Sequence, residues 1–177
     1  MREVRTECEN ERVIRPSRAA LPVDGGMLSQ AEVDRRNGDF QYWLSEMDDA
    51  LARFLEGIDE PVRSQLDLSP ESLDALETWV LKRYKSPDEL LETDAKRVLD
   101  GVARYIGETY RKHVGGQWQI RLDDPKYAFF GLPELTGFSE KPTPISPHSL
   151  ATAMTDRRSG MYLRTILQNT KKRLAKT

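Results

Sequence analysis

The side chains of this sequence with the intrinsic reactivity for catalysis or metal binding are few: His113, His148, Cys8, and the adjacent acids Asp123-Asp124. Zinc and redox metals need His, Cys and carboxylate ligands at short spacings, and the two histidines lie far apart with no paired-His or paired-Cys motif. The sequence therefore predicts no metal site and no cofactor. Cys8 stands in a polar stretch without a nearby histidine and reads as an incidental thiol. Ser146 and His148 sit two residues apart at a helix start, where their side chains diverge, and N-capping accounts for Ser146. Asp123-Asp124 precede Pro125, the chemistry of a turn rather than of a carboxylate pair. A phosphate cradle leads from a strand into a helix, whereas Gly115-Gly116 leave a helix and enter a strand. The expectation is a non-enzymatic protein with no catalytic residues, the alternative being an enzyme with an unrecognised site.

The elements that position these residues are legible in local patterns. Residues 1–27 mix charges with Pro16, Pro22 and Gly25-Gly26 and show no sustained period, predicting a flexible or extended N-terminal arm ahead of a single domain over 28–177. Ser29 and Glu32 form a capping box. Behind it Phe40, Trp43, Leu44, Met47, Leu51, Phe54 and Ile58 recur at three and four, predicting one amphipathic helix with Asn37-Gly38 as its candidate break. Ser69-Pro70, Ser86-Pro87 and Ser146-Pro147 each place a capping serine before a proline suited to the first helical turn. Leu91, Ala95, Val98, Val102 and Ile106 carry a long helix to Val114, with Thr93-Asp94 as a candidate interruption.

At least one of Gly115 and Gly116 is expected to have positive φ, ending that helix. Trp118, Ile120 and Leu122 then alternate as a strand, and Tyr127–Phe130 are expected to return as its partner. Leu163, Ile166, Leu167, Thr170 and Leu174 define a terminal helix. The fold class predicted is α+β, mainly helical, with four to six helices around a small antiparallel sheet.

Glu108 has two readings within its helix. It forms an ion-pair ladder with Arg104, Arg111 and Lys112, or it is a buried carboxylate that anchors the following loop through backbone amides.

Charge is uneven along the chain although the net value is only −2. Residues 32–100 carry 9 basic and 18 acidic groups, and residues 101–177 carry 13 basic and 6 acidic. Either the two blocks neutralise each other inside the fold, or each presents a face of one sign to a partner. The acidic candidates for a protein partner with a basic surface are Glu46, Asp48, Asp49, Glu56, Asp74 and Glu77. The alternative is a nucleic-acid-binding accessory protein using Arg157, Arg158, Arg164, Lys171, Lys172 and Arg173. No apolar run approaches the roughly 20 residues that cross a bilayer, and the first residues lack the apolar stretch of a secretory signal, so no membrane partner and a cytoplasmic location are expected.

A helix carrying Tyr105-x-Gly107-Glu108, then Gly115-Gly116-x-Trp118 into a strand, then Pro144 and Pro147 leading into a helix, resembles an uncharacterised bacterial domain over about residues 95–175. That domain occurs in small cytoplasmic proteins, some linked with toxin immunity or similar accessory roles. The resemblance implies a compact non-enzymatic domain, and with the charge pattern it leads to the expectation of an immunity or antitoxin-type protein-binding module.

Overall fold

The computed structural model describes residues 27–138 and 144–175. The proposed N-terminal arm, with Cys8, lies outside the described residues apart from Met27. Among them the chain is α+β and mainly helical, with seven α-helices and one two-stranded antiparallel sheet.

The first amphipathic stripe forms two helices, α1 (Gln30–Ser45) and α2 (Met47–Glu56), and not the single helix its period implies. Ser29 caps α1 as expected, its side chain accepting from Glu32 N–H at 3.3 Å. The break falls at Glu46 (φ −87°, ψ 8°), while Asn37-Gly38 lie inside unbroken helix. Its cause is tertiary. The Trp43 carbonyl, which Met47 N–H would use in a continuous helix, accepts from Arg104 Nη1 at 2.8 Å.

Helix α3 (Ser72–Arg83) starts two residues after Pro70, but Ser69 still caps it by accepting from Ser72 N–H at 3.1 Å. Helix α4 (Pro87–Leu91) is capped by Ser86, and a 3₁₀ turn over Thr93–Ala95 separates it from α5 (Lys96–Val114). Those two interruptions raise the helix number above the expected range.

The centre of the fold is α5, which packs on α2, α4, α6 and α7. It buries Val102, Ala103, Tyr105, Ile106 and Tyr110, and two glycines let aromatic rings come against its backbone. A Cβ on Gly101 would lie 2.2 Å from the Phe54 ring, and one on Gly107 2.1 Å from the Trp118 ring. Gly115 (φ 79°) and Gly116 (φ 95°) end the helix in backbone that other residues rarely adopt.

Strand β1 (Gln117–Ile120) pairs with β2 (Pro133–Thr136), with Trp118 opposite Leu135 and Ile120 opposite Pro133. The expected return strand over Tyr127–Phe130 does not form. Those residues instead make successive turns, Tyr127 N–H to Asp124 O at 2.9 Å and Phe130 N–H to Tyr127 O at 3.1 Å, closed by Gly131 N–H to Arg121 O at 2.9 Å. Proline is compatible with the later run because Pro133 is its first residue, a position where a strand tolerates the missing N–H.

The chain finishes with α6 (Pro147–Arg157), capped by Ser146, and α7 (Tyr162–Leu174). Leu73, Leu76, Val80, Leu90, Leu135, Met154, Leu163 and Leu167 join the apolar face of α5 in one buried cluster. Partly buried Trp118 packs against that cluster, its ring seated over Gly107 of α5.

Candidate functional site

The acidic residues separate into two sets once folded. Asp48 and Asp49 occupy the first turn of α2 and Glu56 its last residue, all three exposed and none with an ion-pair partner among the described residues. Glu46, in the break before α2, pairs with Arg53 at 3.1 Å. Two others have internal partners, and for Glu77, which is buried, the expectation that it faces a partner is corrected, while Asp74 stays partly exposed. Asp74 pairs with Arg164 at 2.8 Å across α3 and α7, and desolvation raises its pKa despite that arginine. Glu77 is fully buried and accepts from Leu163 N–H at 3.0 Å, completing the N-terminus of α7. Burial raises the Glu77 pKa, opposed by backbone N–H groups of Leu163, Gly160 and Tyr162.

Most of the basic set is also occupied. Arg158 adopts a left-handed conformation at the end of α6 and donates to the carbonyls of Leu81, Tyr84 and Lys85, closing the C-terminus of α3. Arg164 is held by Asp74, and the Arg157 guanidinium lies 5.8 Å over the Tyr162 ring. Arg173 reaches Thr170 Oγ1 at 3.5 Å. Lys171 and Lys172 are exposed in the last turn of α7, where the helix dipole favours cations. Arg158 and Arg164 therefore act in helix capping and pairing, while Arg158 stays exposed and Arg164 partly so.

Mutual neutralisation of the two charge blocks is partial. Of the ten ion pairs among the described residues, Arg104–Asp100 and Arg164–Asp74 join the acidic block to the basic one. The outer acids of α2 are not part of either.

The residues first weighed for chemistry hold structure. Asp123 pairs with Arg121, and Asp124 accepts from Lys126 N–H at 2.9 Å within the expected turn. His113 Nε2 contacts Leu68 O at 2.9 Å. Ser146 Oγ accepts from Ser149 N–H, so it is a helix cap and not a partner of His148. His148 is pushed down to about 4 by burial, with Asp100 opposing and Arg104 adding to the shift; its Nδ1 is buried without a partner. Glu108 combines parts of both earlier readings: it pairs with Arg111 at 2.8 Å and accepts from the Trp118 indole N–H at 2.8 Å. Arg104 instead bonds Asp100, and the anchored group is an indole rather than a backbone amide. Among the described residues no group of three or more His, Cys, Asp or Glu is placed to hold a metal ion.

Two features escape the sequence. Tyr42, 69% exposed near the end of α1, stands one helical turn before Glu46 and beside the acidic start of α2. Its only sequence signal is an aromatic residue off the apolar stripe. The second is a cleft of about 480 Å³ lined by Ala50, Arg53, Phe54 and Gly57 of the α2 region, Trp79 of α3, and Arg97, Val98, Asp100 and Gly101 of α5. Because three separate helices build it, no local spacing announces it.

No family model, no curated protein and no solved structure matches this chain. Among the described residues no helix is long and apolar enough to cross a membrane.

Proposed function

We propose that this chain is a non-enzymatic protein-binding module, of the immunity or antitoxin-inhibitor type, that engages a basic protein through the outer face of α2. The observation that carries the reading is Glu56. It is an exposed carboxylate on the last residue of α2, at the helix end where the dipole disfavours a negative charge, and no cation pairs with it among the described residues. Asp48 and Asp49 alone need no partner, since acids in a first turn are locally favourable. Asp49 and Glu56 are seven positions apart, which puts them on one side of α2 about 10 Å apart along its axis. Tyr42 adds the exposed aromatic contact that protein interfaces concentrate their energy in.

A cytoplasmic setting and a basic toxin or effector as target belong to the same proposal. The test is retention of proteins from an extract of the source cell on immobilised chain, beside a variant carrying Asp48→Lys, Asp49→Lys and Glu56→Lys. A protein retained by the native chain and lost from the variant supports the reading. Equal retention by both removes α2 from the interface, and retention of nucleic acid instead makes Lys171 and Lys172 the surface to examine.

A further inference from the structure

The cleft between α2, α3 and α5 has the size of a small-molecule site, inside the roughly 300–1,000 Å³ of ligand pockets. Its apolar wall is Ala50, Phe54, Gly57, Trp79, Val98 and Gly101, and the Phe54 and Trp79 rings meet edge to face at 5.9 Å.

The polar groups around this wall can be accounted for one at a time. Asp100 is already engaged: Oδ1 accepts from Trp43 Nε1 at 2.6 Å and Oδ2 from Arg104 Nε at 2.8 Å, an ion pair that offsets its charge. Arg53 is paired with Glu46, and Arg83, lying 4.1 Å over the Trp79 ring, is paired with Asp59. Arg97 is exposed on the cleft with no ion pair among the described residues, so it leaves the lining with one uncompensated positive charge.

The tryptophans differ in what their indole N–H groups meet. Trp43 and Trp118 donate their indole N–H groups to Asp100 and Glu108 of α5. Trp79, the third, is only 6% exposed, and its Nε1 has no acceptor. That N–H has almost no accessible surface, so it is closed to a molecule in the cleft, which meets only ring carbon of Trp79.

We propose that this cleft binds a small planar monocarboxylate, its ring against Phe54 and Trp79 and its carboxylate paired with Arg97. One anionic group matches the single unpaired cation, and a flat apolar body matches the aromatic wall. This site is independent of the acidic face of α2.

The probes are 1-naphthaleneacetate, its neutral isostere 1-naphthaleneacetamide, and 1-naphthyl phosphate, each titrated calorimetrically into the full chain. The carboxylate is expected to bind saturably and about tenfold more tightly than the amide, the equivalent of about 1.4 kcal/mol. Arg97→Gln, on an exposed side chain, should bring the carboxylate down to the affinity of the amide, and Arg121→Gln, outside the cleft, should leave it unchanged. The proposal is overturned by absence of saturation at millimolar probe, by equal affinity for acid and amide, or by indifference to Arg97→Gln. Tighter binding of the phosphate ester than of the carboxylate overturns the assigned ligand class.

Discussion

The carboxylate of Glu77 in α3 accepts the backbone N–H of Leu163 in α7 at 3.0 Å, across 86 positions of sequence. The first turn of a helix has unpaired N–H groups, and α7 has no side-chain cap of its own at Met161. Glu77 supplies that cap from another helix, while Arg158 donates back to the carbonyls that end α3. Helix α3 therefore caps the start of α7 and has its own end closed from the C-terminus of α6.

Removing the Glu77 carboxylate strands buried N–H groups, so Glu77→Ala should destabilise the chain by about 1–3 kcal/mol in urea unfolding. Glu77→Gln keeps an acceptor and should cost less. A change within the scatter of surface substitutions for Glu77→Ala would contradict the capping role.

Gly107 and Trp118 should behave as a coupled pair. Gly107→Ala gains helix propensity of about 1 kcal/mol but forces a methyl group to 2.1 Å from the Trp118 ring, and overpacking of that kind costs about 1–3 kcal/mol. The expected outcome is a net loss of stability that disappears when Trp118→Ala is made as well, measured as a double-mutant cycle. Additive effects would show that the ring moves aside freely.

Gly115 and Gly116 should differ in degree. Alanine at either meets an unfavourable φ, but only at Gly116 does the new Cβ fall 2.7 Å from a backbone oxygen, that of Thr136. Gly116→Ala should therefore lower the thermal midpoint more than Gly115→Ala. The reverse order would place the strain at the helix end and not at the sheet.

His148 makes stability depend on pH. Its pKa lies at about 4, below the ordinary 6.5, so the unfolded chain takes up the proton first as pH falls. The neutral form's contribution is complete above pH 6.5 and is lost between 6.5 and about 4. The slope for one proton is at most about 1.4 kcal/mol per pH unit. Glu77 and Asp74, whose pKa values are raised, act with the opposite sign, so the difference between native chain and His148→Gln isolates the histidine. That difference should narrow across this window in urea unfolding. Parallel pH profiles would exclude a His148 held neutral by its surroundings.

What the sequence makes legible here is chemistry that acts within a few residues. The caps at Ser29, Ser86 and Ser146, and the positive φ at Gly115 and Gly116, follow from side-chain reach and missing Cβ atoms. What it conceals depends on distant partners. The break at Glu46 needs Arg104, the burial of Glu77 needs α7, and the failure of Tyr127–Phe130 to form a strand follows from turns that favour the later run at Pro133. An acid's sequence neighbours do not distinguish Glu77, which is buried, from Glu56, which is exposed. Four of the twelve charges assigned to partner surfaces, Arg158, Arg164, Asp74 and Glu77, show this same effect: the groups they bond lie on distant elements.

The central claim, that Asp48, Asp49 and Glu56 steer a basic partner, is tested most directly by the association rate of the protein recovered on the native chain, measured across a range of salt concentrations. Exposed charges are screened beyond about 8 Å at physiological ionic strength, so steering predicts association that slows as salt rises and slows further with each single reversal, while dissociation changes little. Association indifferent both to salt and to reversal at Glu56 would contradict the account.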